Sequence, residues 1–343
     1  MPGTVRILSI DGGGIRGIIP ARILEHIEAR TGRRISELFH LVAGTSTGGI
    51  IACALTSPAP NGRPRPASEI ADLYRQRGRE IFQSSFWHGF GSLGGLVDEK
   101  YEARYLEDIL EAFFGDTMLS EVHQDLLVTS YDLQTRKPFF FKNWKARGEH
   151  VREEEAAVQR DFEVRWVARA TSAAPTYFEP AVLKKRNRTL PLVDGGVFAN
   201  NPAMCALTAA RKLFPRASRT MVLSLGTGET RRTIPYEEAR DWGLAGWARP
   251  LLYIIFDGVS DAVDYHLSML LSQRDYFRFQ TAMSSAPDHE DAPNDDMDDA
   301  RPENIRLLER LSQDILQRDR QKMNRLVRQL RTPMAPRDQL SGP

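Results

Sequence analysis

One stretch, residues 38–55 (LFHLVAGTSTGGIIACAL), constrains this chain more than any other. Its pattern predicts a buried strand, a very tight turn with Ser46 at the tip, and a buried helix. A nucleophilic serine in acyl transfer needs this geometry, because the sharp turn exposes Oγ and flanking glycines avoid clashes. A Ser/Thr-rich turn before a helix is also a common N-cap, so these residues alone leave both interpretations open.

A second glycine-rich turn lies near the N terminus. Residues 5–10 predict a first buried strand, and residues 12–17 (GGGIRG) follow it before a helical pattern. Such a turn exposes backbone N–H groups that can bind an anion. Its spacing matches the dinucleotide pattern GxGxxG, but the acidic residue at about the required distance, Glu37, precedes the next strand instead of ending it. The alternative is an oxyanion hole facing Ser46, which two anion-binding turns at neighbouring strand ends favour.

A serine hydroxyl also needs a base to accept its proton. Asp194 follows a short apolar run and precedes two glycines, the pattern of a turn at a strand end. In α/β-hydrolases a histidine follows the acid, and only His266 and His289 do so here. The first lies in a helical pattern and the second in an acidic segment. Asp194 itself is therefore a candidate base, although a free aspartate with a pKa near ~3.9 is a weak one and its site would need desolvation.

Composition narrows the class of protein. The 343 residues suffice for one large domain or two ordinary ones. A net charge of +1 argues against binding a nucleic-acid polymer. Cys53 and Cys205 lie in predicted apolar helices, which indicates neither a disulfide framework nor a cysteine metal site. Without a leader-like N terminus or a long apolar run, we expect a cytoplasmic protein that contacts membranes peripherally.

Four further segments carry expectations. Residues 84–98 mix aromatic residues with glycines, which fits either a surface insertion or an apolar flap with Phe86–Leu96 as a lid. Residues 242–265 predict a helix with Trp242, Trp247 and Leu251 as core or cleft candidates, and residues 288–299 predict a solvated acidic loop. Residues 305–331 predict a basic amphipathic helix, whose polar face is either solvated or in contact with anionic lipid.

Three blocks together resemble the patatin-like phospholipase family. They are residues 11–17 (DGGGIRG), 44–48 (GTSTG) and 194–196 (DGG), in the family's order. Residues 130–143, 167–180 and 223–228 are similar as well. The resemblance is dense over residues 5–228 and looser beyond, and its ordered motifs are far more specific than a single GxSxG.

The resemblance implies a fold and a set of site residues. The fold is a three-layer α/β/α sandwich around a mostly parallel central sheet. It implies a single catalytic domain over residues 4–331, with a motif-bearing core at 5–228, a helical continuation at 229–331 and a flexible tail at 332–343. The resemblance also implies that the protein needs no metal or organic cofactor. Its catalytic residues would be Ser46 as nucleophile and Asp194 as general base, with an oxyanion hole from Gly12, Gly13, Gly14 and Arg16 and motif support from Gly17, Gly44, Gly48, Gly195 and Gly196.

The implied function is lipid acyl hydrolysis of the phospholipase A or lysophospholipase type. A Ser–Asp dyad would form an acyl-enzyme on a membrane phospholipid or another acyl-ester lipid. One alternative is the same chemistry in a bacterial antiviral effector that degrades membranes, with a cyclic dinucleotide as activator and homo-oligomer formation. The other is a catalytically idle lipid-binding protein, which the three intact blocks disfavour.

Overall fold

A computed structural model describes residues 3–82, 99–150, 160–185, 188–230, 233–283 and 292–342. Its centre is a sheet with five parallel strands in the order β3-β2-β1-β7-β9. Strand β1 (Thr4–Ile10) is buried over nearly its whole length, because helices cover both of its faces. The other parallel strands are β2 (Leu41–Gly44), β3 (Asp125–Asp132), β7 (Arg219–Leu225) and β9 (Tyr276–Phe279).

Antiparallel strands complete one edge of the sheet. The first part of β3 pairs with β2, and its last three residues pair on that same side with β6 (Arg188–Asp194). Strand β4 (Lys137–Lys142) pairs with β3 on its other side, and β5 (Ala181–Lys185) pairs with β6. A separate two-stranded sheet joins β8 (Glu229–Thr230) to β10 (Ala282–Met283). This arrangement places the end of β6, and therefore Asp194, next to the parallel core.

Helices form a layer on each face of the sheet, so the predicted three-layer α/β/α sandwich with a mostly parallel sheet is confirmed. One layer contains α1 (Ile18–Thr31), α2 (Thr47–Thr56), α3 (Ala67–Phe82), α4 (Glu99–Phe114), α6 (Val164–Thr171), α11 (Pro302–Arg318) and α12 (Arg320–Arg331). The other contains α8 (Ala203–Leu213) and α10 (Leu244–Leu270). Four short helices are α5 (Asn143–Ala146), α7 (Gly196–Ala199), α9 (Tyr236–Ala239) and α13 (Arg337–Leu340).

The C-terminal segment differs from the flexible tail expected at residues 332–343. It carries α13, whose Arg337 contacts Asp125 at 3.0 Å, and Leu340 is fully buried. The ring of His40 also forms a 2.9 Å hydrogen bond with the carbonyl of Ala335. Partners this distant in sequence leave no local signal, which is why composition suggested a frayed end.

Two other expectations concern helices and membranes. The single helix expected over residues 305–331 is divided at Asp319, which ends α11 and precedes α12. No helix within the described ranges has the length and apolar character needed to cross a bilayer. The lid expected at Phe86–Leu96 lies outside the described residues. The assignment of residues 4–331 to one domain stays a prediction.

Candidate active site

Ser46 occupies the tip of a tight turn between β2 and α2. Its backbone has φ 55° and ψ −128°, a region that residues with side chains rarely adopt. A Cβ on Gly44 would lie 2.1 Å from the carbonyl oxygen of Gly48, and one on Gly48 would lie 2.2 Å from the carbonyl oxygen of Ile10. The turn is therefore too tight for side chains at these two positions, as the sequence predicted. The Ser46 N–H donates to Oγ1 of Thr171 at 2.8 Å, which fixes the turn from the side of α6.

Asp194 ends β6 and turns its carboxylate into the protein. Its Oδ1 accepts a 2.7 Å hydrogen bond from the N–H of Gly196, and its side chain has no solvent exposure. A Cβ on Gly195 would lie 2.1 Å from Oγ1 of Thr129, so this turn also requires glycine. The structure thus explains the Asp-Gly-Gly sequence by close packing around the carboxylate.

Burial sets the protonation of this carboxylate. It raises the pKa of Asp194 to about 7, while hydrogen bonding from the Ser46 side chain and from the Gly196 N–H acts in the opposite direction. The Ser46 hydroxyl is close enough to have this effect, yet Oδ2 of Asp194 makes no hydrogen bond of regular geometry within the described residues. Serine and aspartate are therefore neighbours without being aligned. Catalytic pairs often align only when substrate binds.

The glycine-rich turn after β1 lies directly against the serine. A Cβ on Gly12 would be 3.1 Å from Cβ of Ser46. The N–H of Gly12 donates to the carbonyl of Asn200 at 3.1 Å, so this amide is already occupied. The N–H groups of Gly13 and Gly14 have no acceptor among the described residues. The expected oxyanion hole therefore has two available donors instead of three.

Two side chains hold the carbonyls of this turn. Oγ1 of Thr227 donates to the carbonyl of Gly12 at 2.7 Å, and Nε of Arg16 donates to the carbonyl of Gly13 at 3.2 Å. In a trans peptide the C=O and the following N–H point in opposite directions. Fixing the two carbonyls therefore also fixes the directions of the Gly13 and Gly14 N–H groups. Arg16 is buried and acts on the turn through this contact.

Residues 292–300 pack against the same turn, so the expectation of a solvated loop is corrected for its described part. The carbonyl of Met297 accepts a 2.8 Å hydrogen bond from the N–H of Ile15, and the carbonyl of Asp295 accepts one of 3.4 Å from Arg16. The side chain of Met297 is buried. Backbone carbonyls make these contacts, so the acidic side chains gave no indication of them.

An apolar pocket opens over Ser46. Aliphatic and aromatic side chains from several helices form most of its wall, with Gly14 and Thr47 at the serine: Ile50, Ile81, Phe82, Leu106, Phe178 and Phe256. Such a lining fits a hydrocarbon chain and offers few polar groups for a sugar or a nucleotide. Among the described residues, no cluster of His, Cys, Asp or Glu is arranged to hold a metal ion.

A family model and individual known proteins match this chain. The family model described as patatin-like phospholipase matches residues 8–207. The chain belongs to the patatin-like phospholipase family. Patatin-like protein 2 of Arabidopsis thaliana is 32% identical over 93% of this chain and 84% of its own length. "Probable inactive patatin-3-Kuras 1" of Solanum tuberosum is 32% identical over 80% of this chain and 78% of its own length. The match to the crystal structure of VipD from Legionella pneumophila covers 92% of this chain and 67% of the VipD chain, with a TM-score of 0.40 and 10% sequence identity.

The other residues considered for catalysis or ligand binding in this patatin-like chain are not placed at the pocket around Ser46 by the structure. His266 is exposed on α10, with its ring 5.9 Å from that of Tyr265, and His289 lies outside the described residues. No described histidine lines the pocket around Ser46. Glu37, considered for a dinucleotide site, instead accepts a 2.7 Å hydrogen bond from the Arg34 N–H in a local turn.

Sequence reasoning missed three residues that support the site. Thr171 fixes the Ser46 N–H, Asn200 occupies the Gly12 N–H, and Thr227 holds the Gly12 carbonyl. The similarity of residues 167–180 and 223–228 to the family was a signal for Thr171 and Thr227, but it indicated no role for either residue. Each of these contacts joins residues that are more than 100 positions apart.

Proposed function

We propose that this chain hydrolyses fatty-acyl esters of lipids through a dyad of Ser46 and Asp194. The observation that carries the proposal is a buried carboxylate with a pKa of about 7 beside a serine on a strained turn. A carboxylate that titrates near neutral pH is a far better base than a free one. Family membership supports lipid acyl hydrolysis as the general class of activity.

The reaction would proceed in two acyl transfers. Oγ of Ser46 attacks the ester carbonyl while Asp194 accepts the hydroxyl proton, and the tetrahedral oxyanion accepts hydrogen bonds from the N–H groups of Gly13 and Gly14. The alcohol or lysolipid then leaves with the proton held by Asp194. A water molecule next attacks the acyl-enzyme while Asp194 accepts its proton, and this proton passes to Oγ of Ser46 as the fatty acid leaves.

The substrate would be a phospholipid or another acyl-ester lipid. The pocket wall supports this choice, because Ile50, Leu106 and Phe256 offer an apolar lining to an acyl chain next to Ser46. The shape of this lining does not distinguish headgroups. Peripheral contact with a membrane would bring such a substrate to the pocket.

Helix α10 supports membrane contact. Six large apolar side chains on it are between 38% and 72% exposed: Trp247, Leu251, Ile254, Tyr265, Met269 and Leu270. The spacing of all but Leu270 places them on one face of the helix. The opposite face carries Phe256, which lines the pocket, and Leu267, which is buried in the core. Trp247 and Leu251, expected in a core or cleft, are therefore exposed. An exposed apolar stripe next to a lipid pocket suits a bilayer surface.

Release of free fatty acid from mixed phospholipid liposomes tests the proposal. Wild type should release it, Ser46→Ala should reduce the rate at least ~10⁴-fold, and Asp194→Asn should do so on a similar scale. Ser341→Ala, outside the pocket, serves as the matched control and should retain full activity.

Two outcomes would contradict the proposal. An Asp194→Asn variant with most of its activity would mean that another group is the base. Liposome binding without hydrolysis of phospholipids, neutral lipids or galactolipids would favour an idle lipid-binding protein. One relative carries the name "probable inactive".

A further inference from the structure

A second cavity, of about 430 Å³, lies at the other end of the sheet from Ser46. Ser46 follows the C-terminal end of β2, whereas the cavity is lined by His40 and Gln124, which immediately precede β2 and β3. Because these strands are parallel, their starts share the opposite edge of the sheet. The remaining wall comes from the loop after α1 and from the C-terminal segment, including Arg33 and Arg331. The mechanism proposed above does not use this cavity.

Two arginines in the wall are not neutralised. Neither Arg33 nor Arg331 has an acidic partner within the described residues. Nη2 of Arg33 donates to the carbonyl of Glu37 at 2.5 Å, and Nη2 of Arg331 donates to the carbonyl of Arg30 at 2.7 Å. A guanidinium carries five N–H donors, so most of the donors on each remain unused. In contrast, Arg337 in the same wall is paired with Asp125 and with Glu149.

A third cation lies behind the cavity. Arg6 is buried in β1, and its guanidinium donates to the carbonyls of Leu330 and Thr332 at the end of α12. These carbonyls are the negative end of a helix, which stabilises a cation without neutralising it. Burial lowers the pKa of Arg6, and the charge of Arg33 lowers it further. Arg6 therefore adds a third positive charge near the cavity, while Asp125 at the same wall is paired with Arg337 and Arg147.

The ring of His40, another polar group in the wall, is already satisfied. Nδ1 of His40 accepts a 3.0 Å hydrogen bond from the N–H of Arg6, so Nε2 carries the hydrogen and donates to Ala335. Burial lowers the pKa of His40, which keeps the ring neutral. Pro333 and Met334 supply an apolar wall beside the guanidiniums of Arg33 and Arg331. The cavity thus offers two forked cations and one apolar surface.

We propose that this cavity binds a phosphate-bearing small anion, held by the guanidiniums of Arg33 and Arg331. The planar fork of arginine donates to two oxygens of a phosphate at once, which makes paired arginines a strong phosphate site. At about 430 Å³ the cavity exceeds the size of one phosphate group, so the rest of the ligand would contact Pro333 and Met334. The proposal does not depend on lipid hydrolysis.

Calorimetric titration of the full chain with inorganic pyrophosphate and with AMP tests this site. Wild type should bind with a submillimolar Kd that weakens as salt is added. Arg33→Ala and Arg331→Ala should each raise Kd at least ~10-fold, the scale of one lost charge-assisted hydrogen bond. Arg331→Lys keeps the charge but loses the fork, so it should raise Kd by a smaller factor. Thermal denaturation of each variant verifies that it is folded.

Two matched variants separate the possible outcomes. Arg325→Ala removes an exposed charge from the same helix outside the cavity and should leave Kd unchanged. Ser46→Ala should also bind normally, so that a loss of hydrolysis and a loss of binding are distinguishable. Failure of wild type to bind pyrophosphate, AMP and phosphatidic acid vesicles alike would overturn the proposal, and so would an equal loss in Arg325→Ala, which would indicate nonspecific charge attraction.

Vesicles with and without phosphatidic acid identify the source of the phosphate. Binding of pyrophosphate or AMP indicates a soluble ligand. Binding of phosphatidic acid vesicles alone, lost in Arg33→Ala, indicates that the cavity takes a lipid headgroup phosphate. Vesicle binding that Arg33→Ala leaves intact, without binding of the soluble probes, would contradict the site.

Discussion

Replacing Asp194 by asparagine should stabilise the fold while removing activity. Burial raises the pKa of this carboxyl from 3.8 to about 7, roughly three units. Each unit corresponds to about 1.4 kcal/mol, so ionising Asp194 costs the folded chain about 4 kcal/mol relative to the unfolded chain. Asparagine has nearly the same shape, stays neutral, and can still accept the hydrogen bond from Gly196. The free energy of unfolding at pH 8 should therefore rise by as much as ~4 kcal/mol.

The effect of Asp194→Asn on the free energy of unfolding should depend on pH. Between pH 4 and 7 the folded chain keeps the Asp194 proton that the unfolded chain has lost, so the contribution of this group to stability is present below pH 4 and is lost as the pH rises through 7. Asparagine does not titrate, so the difference between variant and wild type should be near zero at pH 4 and largest at pH 8.

Urea denaturation at pH 4, 6 and 8 measures this difference. Asp314→Asn, at an exposed position on α11, is the matched control and should change stability by less than ~0.5 kcal/mol at each pH. A difference that does not depend on pH would refute the reasoning. So would a variant that is less stable than wild type at pH 8, because the carboxylate would then be solvated or paired in the folded chain.

Three further predictions concern activity and binding. Thr227→Val removes the hydroxyl that holds the Gly12 carbonyl and should lower kcat about tenfold with little change in KM, measured on a soluble short-chain ester. On the same ester, kcat/KM should fall about tenfold per pH unit below pH 7, because Asp194 must be ionised to accept a proton. A profile that stays flat to pH 5 would contradict that role. Leu251→Asn with Ile254→Asn should weaken liposome sedimentation at least tenfold and spare ester hydrolysis; unchanged sedimentation would mean that α10 does not meet the bilayer.

Local sequence was sufficient to predict the turns of the candidate site. The strand before Ser46, the tight turn and the buried helix appear as predicted, because backbone crowding at Gly44 and Gly48 excludes side chains. Asp194 likewise ends a strand and precedes a turn that needs glycine. Such features depend on a few neighbouring residues, and those residues are adjacent in the sequence. The catalytic roles of these residues remain the proposal that the liposome experiment tests.

Contacts between distant segments could not be predicted in this way. The Thr227 hydroxyl reaches the carbonyl of Gly12 across 215 positions. The acidic composition of residues 288–299 indicated solvent, yet the described part contacts the glycine-rich turn through the carbonyl of Met297, which is independent of side-chain type. The raised pKa of Asp194 also depends on complete burial of its side chain. The proposed role of Asp194 as a base called for such burial, but the sequence alone could not show it.

The position of Arg6 has a consequence for how the chain is made. Its guanidinium lies in the central strand, and its partner Thr332 is 326 positions later. At a synthesis rate of about 5–20 residues per second, roughly 16–65 s pass between the appearance of the two residues. During that time the Arg6 guanidinium has only water as a hydrogen-bond acceptor, so its native contacts with the end of α12 form only after Thr332 has been synthesised.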